Sequence, residues 1–167
     1  GGKNMSLSFE TVDVSILPQS NVIIGQSHFI KTAEDIFELL MTSSPTVKFG
    51  LAFNEASGPC LIRTEGNDDE LVQAAVKAAG DIGAGHIFVL YIRNLYPISI
   101  LNQLKNIQEV VSIYAATANP LQVIVAQSDI GRGIMGVIDG YSPKGIEKAE
   151  DKKDRSELLR NIIGYKK

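Results

Sequence analysis

The sequence predicts a single α/β domain, a three-layer sandwich around a mixed β-sheet. Its 167 residues match the size of one ordinary domain. Strand-like and helix-like apolar periodicities alternate through the middle of the chain, as in layered α/β proteins. Short apolar runs joined by tight polar turns flank that part and indicate hairpins, which makes the sheet mixed rather than purely parallel. The domain is assigned to residues 5–167, and residues 1–4, before Met5, are interpreted as an expression remnant.

Strands are predicted where apolar residues alternate or form short runs between turn residues. The strongest candidate is the segment HIFVLYIR, which is almost wholly apolar and is therefore expected at the centre of the sheet. The predicted strands span residues 9–16, 21–25, 47–53, 60–64, 86–93, 110–116, 121–127 and 134–138.

Two helices are predicted from capping patterns followed by apolar residues at helical spacing. Thr32 with Asp35 three residues later begins the first, which runs to about residue 43. Asn67 with Glu70 begins the second, which ends at a glycine-rich break over residues 83–85.

Two further helical segments are predicted in the second half of the chain. Pro97 suits the first turn of a helix, and apolar residues recur after it at helical spacing. Residues 144–167 are rich in lysine and glutamate, and they predict an exposed C-terminal helix.

Composition narrows the classes of function. A net charge of −3 argues against a protein that covers nucleic-acid phosphates with basic side chains. No apolar run of about 18 residues is present and the N-terminus lacks a secretory signal, so we expect a cytoplasmic protein without a membrane partner. One cysteine and two histidines exclude a multi-cysteine metal site, and no resident metal is predicted.

The segment GRGIMG, residues 131–136, matches a dinucleotide-binding glycine pattern but lacks its context. That fingerprint follows a strand and opens a helix, whereas here the sequence continues as a strand. A glycine-rich hairpin turn is the favoured interpretation. Arg132 within it remains a candidate ligand for an anion, because N–H groups around glycines form anion-binding nests.

The two histidines are the candidate catalytic residues. His28 lies in a short polar segment between a strand and a helix start, where anions are favoured. His86 opens the most apolar strand. Neutral imidazole can act as a base or accept a phosphoryl group. The alternatives are a loop histidine with a local hydrogen bond for His28, and a structural histidine at a strand start for His86.

Polar turns supply candidate substrate-binding residues. Asn54, Glu55 and Ser57 form the densest polar cluster between two strands, and a carboxylate there could accept from ribose hydroxyls. Asn94 and Asn119 follow other strands, and open α/β sheets gather ligands at such carboxyl ends. The alternative for all five is ordinary turn chemistry. Cys60, next to the cluster, is interpreted as a small buried apolar residue rather than a nucleophile.

Several of these strings together resemble the archaeal and bacterial adenosine-specific kinase family. The resemblance runs from about Phe9 to Tyr165, and it is carried by the segments GQSHF, KFGLAFNEA, TEGND, IGAGH, RN, ANP and residues 131–140. It implies a compact three-layer α/β fold, homo-oligomers with trimers as the expected form, and binding of adenosine or AMP. It also implies a phosphorylated histidine, which falls on His28 or His86.

The sequence therefore leads to one main hypothesis and two alternatives. The first is a nucleoside phosphotransferase in which Glu55 contacts ribose, an asparagine reads the base or sugar, His28 carries or relays the phosphoryl group and Arg132 neutralises it. ATP and Mg²⁺ would then be co-substrates, and no other cofactor is predicted. The alternatives are a non-catalytic adenosine or AMP sensor and a nucleotide phosphohydrolase. All three need the polar loops to converge at one rim of the sheet.

Overall fold

A computed structural model describes residues 6–166 of the chain. The segment interpreted as an expression remnant lies outside the described residues. Eight strands and four α-helices follow one another in the order that the periodicity predicts. The strands are β1 Ser8–Val14, β2 Asn21–Ser27, β3 Lys48–Asn54, β4 Ile62–Gly66, β5 Ile87–Arg93, β6 Val110–Thr117, β7 Leu121–Gln127 and β8 Arg132–Asp139. The helices are α1 Lys31–Ser43, α2 Asp69–Ile82, α3 Leu101–Lys105 and α4 Ala149–Glu157. A 3₁₀ turn, Pro97–Ser99, precedes α3, and a π-helical turn, Leu158–Ile162, follows α4.

The strands form two sheets. Five strands pair in the order β4-β3-β5-β2-β6, and the other three pair in the order β1-β7-β8. Every pairing between these strands is antiparallel. The predicted α/β class and single domain are confirmed, but the sheet expected to be mixed is a pair of antiparallel sheets. The only parallel contact among the described residues is an isolated bridge between Ala84 and Arg132.

The five-stranded sheet is the middle of three layers, as predicted. On one face its apolar side chains, such as Phe49 and Phe88, pack against α1 and α3. On the other face Val89 and Tyr91 pack against α2 and against Val123 of the three-stranded sheet. Because β5 is buried on both faces, it carries the continuous apolar sequence that predicted its central position.

Both predicted capping patterns are wrong in detail. The N-cap of α2 is Asp68, whose carboxylate accepts from the N–H of Leu71 at 3.1 Å. Asn67 instead bridges to β3, donating to the carbonyl of Val47 and accepting from the N–H of Phe49, each at 2.9 Å. At α1 the N-cap position is Ile30, which provides no side-chain cap. At α2 the asparagine is therefore diverted from the cap, because the backbone at the start of β3 offers it two partners.

The C-terminal segment is exposed, as its composition predicts. No residue of α4 is buried, and its polar composition gives it no apolar face to pack. The end of the described chain nevertheless contacts the rest of the domain. The ring of Tyr165 packs edge-on against the ring of Tyr96, with centroids 5.8 Å apart. Within residues 6–166, no helix is long and apolar enough to cross a membrane.

Candidate functional site

The antiparallel pairing of the five-stranded sheet places the candidate residues at two opposite ends. The carboxyl ends of β2 and β3 meet the start of β5 at one end, which we call the histidine end and define by Ser27, Asn54 and His86. The start of β2 meets the ends of β5 and β6 at the other, which we call the asparagine end and define by Asn21 and Asn94. Seven residues of β5 separate them, a span of roughly 20 Å.

His86 is fixed at the histidine end by its main chain. Its N–H donates to the carbonyl of Asn54 and its carbonyl accepts from the N–H of Ser27, both at 2.8 Å. The residue has a positive φ of 63°, a conformation that is uncommon for residues other than glycine. Its half-buried imidazole stacks on Phe53 with ring centroids 5.8 Å apart. The ring is thus held beside the ends of two strands.

His28 lies at the same end but is exposed to solvent. Its N–H donates to the carbonyl of Glu109 at 2.7 Å, and its ring meets Phe29 edge-on at 5.4 Å. It precedes α1 by three residues, close to a helix start without a side-chain cap. Both histidines therefore belong to one end of the sheet, and of the two it is His86 that the fold constrains.

A cavity of about 500 Å³ opens at the histidine end between β3, α2 and the loop before β8. Much of its wall is small, from Ala79 and Gly80 on α2 to Ala84 and Gly85 just before His86. Asn54 enters the wall with its Nδ2 bound to the carbonyls of Ala79 and Ala84, each at 3.0 Å. Its Oδ1 is buried without a partner among the described residues. Because buried polar groups are almost always hydrogen-bonded, a buried acceptor in this state calls for a partner such as an ordered water or a bound group.

Glu55 lines the same cavity, with its carboxylate already engaged. One oxygen accepts from the N–H of Leu61 and the other from Arg63, each at 2.7 Å. The hydrogen bond from the Arg63 guanidinium, followed by that from Leu61, holds the pKa of Glu55 below its ordinary range. Glu55 is thus a carboxylate that closes the turn before β4.

The rest of that turn lies outside or at the mouth of the cavity. Ser57 is exposed and does not line the cavity. Cys60 lines it as an exposed free thiol in a positive-φ conformation, with φ at 50°. The prediction of a buried apolar cysteine is wrong, because the turn closed by Glu55 carries Cys60 outward.

Arg132 also lines the cavity, and its guanidinium is largely used within the fold. Nε donates to the carbonyl of Ile82 at 2.8 Å, and one terminal nitrogen donates to Gln127 at 3.0 Å. The other terminal nitrogen reaches the carbonyl of Asp81 at 3.3 Å and pairs with Glu10. Arg132 therefore holds β8 against the carboxyl end of α2, where a cation is favoured by the helix dipole.

The two remaining candidates, Asn94 and Asn119, lie away from the histidines. Asn94 follows β5 at the asparagine end, and its Nδ2 donates to the carbonyl of Thr46 at 3.1 Å. Asn119 follows β6, and its Nδ2 lies 3.3 Å from the carboxylate of Asp139. The expectation of a single rim is wrong, because β5 and β6 run antiparallel to β2 and so end at the other side of the sheet.

A pair of carboxyl groups next to the His28 loop was not predicted from the sequence. Glu109 is 6% exposed and lies against Asp35 on α1, which also pairs with Lys31. Burial and the neighbouring carboxyl of Asp35 raise the pKa of Glu109. The pKa of Asp35 is lowered by a hydrogen bond from Glu109 and by the contact with Lys31. Asp35 had been assigned to a cap, and Glu109 belongs to no motif.

In a kinase reaction, Mg²⁺ would enter bound to ATP and would need few protein ligands. A metal site held by the protein itself would need a cluster of ligand side chains. Among residues 6–166, no group of three or more His, Cys, Asp or Glu side chains is arranged to hold a metal ion. We therefore assign no residue of the described part to a metal.

Comparisons with known proteins agree with the resemblance seen in the sequence. The family described as adenosine specific kinase matches residues 12–166. The crystal structure of PH1918 protein from Pyrococcus horikoshii OT3 is 46% identical, with a TM-score of 0.91 over 97% of this chain and 99% of that one. No curated protein matches. The family match covers nearly the whole chain and indicates a nucleoside-related function: the chain belongs to the adenosine-specific kinase family.

Proposed function

We propose that this protein binds adenosine or AMP in the cavity beside Asn54 and transfers a phosphoryl group to or from the nucleoside through a histidine. The family membership supports a nucleoside as the ligand. The observation that carries the proposal is that the cavity and both histidines lie at the same end of one sheet, where the main-chain N–H of His86 donates to the carbonyl of Asn54. Neither histidine lines the cavity itself, and the His86 ring stacks on Phe53, which packs toward α1 and α3.

The cavity suits a nucleoside in size and in the nature of its walls. A volume of about 500 Å³ is within the range of small-molecule sites, roughly 300–1,000 Å³. Gly80, where an added Cβ would meet only Ile62 at 3.6 Å, lets a flat base approach the backbone of α2 closely. The unpartnered Oδ1 of Asn54 would accept from the amino group of adenine. Glu55 would contact ribose through lone pairs that Leu61 and Arg63 leave free.

The phosphoryl step follows the chemistry of a neutral imidazole. A ring nitrogen attacks the terminal phosphorus of a phosphoanhydride such as ATP, forming an N–P bond while the P–O bond to the leaving diphosphate breaks. The 5′ oxygen of adenosine then attacks phosphorus, the N–P bond breaks, and the hydroxyl proton passes to a base. AMP is the product.

We propose His86 rather than His28 as the phosphoryl carrier. His86 is half-buried and follows Ala84 and Gly85 of the cavity wall, whereas His28 is exposed. A held imidazole loses less freedom on reaching the reactive geometry than a solvated one. His28 would then donate a hydrogen bond to the phosphoryl group, and Lys31, at the start of α1, would supply positive charge beside it.

Phosphoryl transfer can be tested with purified protein, adenosine and ATP labelled at the γ position. We expect labelled AMP, and an acid-labile label on the protein when adenosine is left out. His86→Asn should abolish both, while His28→Asn should slow transfer without removing it. Transfer that survives both substitutions would contradict histidine chemistry. Binding of AMP without any transfer would indicate a non-catalytic sensor. Release of inorganic phosphate from AMP would indicate a phosphohydrolase.

Nucleoside binding can be tested separately from transfer. Gly80 lies on an exposed part of α2 and lines the cavity, so Gly80→Leu fills space without opening the core. We expect at least a tenfold loss of AMP affinity by calorimetry. Gln73→Leu, exposed on the same helix, is the matched control and should bind AMP as the wild type does. Equal affinities in the two variants would place the nucleoside elsewhere.

We also propose that the chain assembles as a homo-oligomer, in line with the resemblance. The support is an exposed apolar set on the three-stranded sheet, where Phe9 is 61%, Met135 63% and Ile138 44% exposed. Such a patch is costly to leave in water. Light scattering coupled to gel filtration measures the subunit number directly, and Phe9→Lys should lower it.

A further inference from the structure

We infer that the chain carries a second small-molecule site, at the asparagine end, for an uncharged planar ring with polar edges, such as a nucleobase or a nucleoside without phosphate. This goes beyond the proposed function and does not depend on it. A cavity of about 900 Å³ opens there, larger than the one beside Asn54. It lies between the turn before β2 and the segment after β5, from Leu17 and Asn21 to Asn94 and Ser99.

The lining of this cavity is uncharged. None of the residues that form its wall is Asp, Glu, Lys, Arg or His. The guanidinium of Arg93, from the end of β5, is already tied to the carboxylate of Glu70 and to the carbonyl of Pro18. A phosphate group would thus lose its hydration without gaining a cation, which is unfavourable. The site selects against nucleotides.

Side-chain amides supply polar edges. Asn94 has its Nδ2 bound to Thr46, which fixes the amide. Asn21, half-buried at the start of β2, offers both a donor and an acceptor. Asn94 and Gln19 are two of the four described non-glycine residues with positive φ, at 63° and 58°. Such conformations cost free energy and cluster at ligand sites.

An aromatic ring and apolar walls complete the site. Tyr96 lines the cavity and is 53% exposed, and Tyr165 from the C-terminal segment braces it edge-on at an interplanar angle of 87°. That geometry leaves a face of the Tyr96 ring for a planar ligand, on which an aromatic base can stack. Leu17 and Leu95 provide apolar contacts on either side.

The distance between the ends separates this site from the proposed chemistry. Roughly 20 Å of β5 lies between His86 and Asn94, so a ligand at the asparagine end cannot exchange a phosphoryl group with either histidine. The two cavities therefore bind independently, one a nucleoside or nucleotide and the other only an uncharged ligand.

Calorimetry with adenosine, adenine and AMP on the full chain tests this. We expect two equivalents of adenosine but one of AMP per chain. Ser99→Leu, which places a larger side chain in the cavity wall, should remove one adenosine equivalent and leave AMP unchanged. Asn102→Leu, which is also exposed, lies three residues later and does not line the cavity, is the matched control. Ala118→Leu, also in the wall, provides a second variant if Ser99→Leu lowers the unfolding temperature.

The outcomes distinguish this inference from the proposed function. If Ser99→Leu and Ala118→Leu bind adenosine as Asn102→Leu does, the second site is overturned. It is also overturned if the wild type binds one adenosine equivalent that Gly80→Leu abolishes. If Gly80→Leu leaves AMP binding intact while Ser99→Leu still removes an adenosine equivalent, the second site stands and the nucleotide site proposed beside Asn54 fails.

Discussion

The backbone N–H of His86 donates to the carbonyl of Asn54 at 2.8 Å, in a conformation with φ at 63°. This bond joins the start of β5 to the end of β3 and sets where the imidazole emerges from the sheet. The position of the candidate catalytic ring is thus determined by main-chain geometry.

Substitutions at His86 should separate backbone strain from chemistry. Asparagine tolerates a positive φ, whereas a β-branched residue does not. We expect His86→Asn to lose little stability and His86→Val to lose at least about 1 kcal/mol more. Urea titrations of both variants measure the difference. Equal stabilities would mean that the backbone of residue 86 relaxes to a negative φ.

Arg132→Ala should destabilise the domain by about 1–3 kcal/mol, because it leaves the half-buried carbonyl of Ile82 at the end of α2 without its donor. Arg155→Ala is the matched control. Its ion pair with Glu147 is exposed, and such pairs contribute at most about 1 kcal/mol. Thermal unfolding of both variants checks the prediction. A loss no larger than that of the control would show that Arg132 is free to serve a ligand.

Gly50→Ala should cost more than about 2 kcal/mol, because a Cβ there would collide with the backbone of Leu71 and Val72 on α2. Gly80→Ala makes only an ordinary contact with Ile62, at 3.6 Å, and removes a glycine from a helix. It should stabilise the domain by about 0.5–1 kcal/mol. Urea titration measures both, and similar values for the two would contradict the close packing of α2 on β3.

Glu109→Gln should raise the midpoint of thermal unfolding at pH 7 but not at pH 4. The folded state raises the pKa of Glu109 above its ordinary value of 4.5, so its contribution to stability is present below that pH and is lost as the pH rises. Glutamine stays neutral and can donate to Asp35 throughout.

Asp35 acts in the opposite direction, because its lowered pKa stabilises the folded state above 3.8 and that contribution is lost as the pH falls. Glu38, exposed on α1 with Asp35, provides the control for Glu109→Gln: Glu38→Gln should not raise the midpoint of thermal unfolding at pH 7. A pH profile of unfolding that Glu109→Gln leaves unchanged from the wild type would contradict the raised pKa of Glu109.

Local patterns in the sequence predicted the elements well. Residues 121–127 form a strand with the predicted bounds, and β5 is central as its apolar run indicates. The capping patterns failed because Asn67 finds two backbone partners on β3, a tertiary contact that spacing along the chain does not encode.

The candidate site was predicted only in part, because local patterns identify polar turns but do not encode tertiary contacts. The turn after β3 was recognised from its polar residues, and it does line a cavity with Asn54 and Glu55. The direction in which strands pair is a property of the whole sheet, so the sequence did not separate Asn94 from the histidines. Glu109 was missed because a single buried glutamate leaves no periodic signal.

Both residues that flank β5, His86 and Asn94, have left-handed backbones with the same φ of 63°. The chain turns sharply at either end of β5, a seven-residue strand in which all residues but the last are buried. An insertion or deletion of one residue in β5 would reverse which side chains face each layer and would misalign the two candidate cavities at once. Homologues that keep both cavities should therefore keep this segment at a constant length, even where the surrounding loops vary.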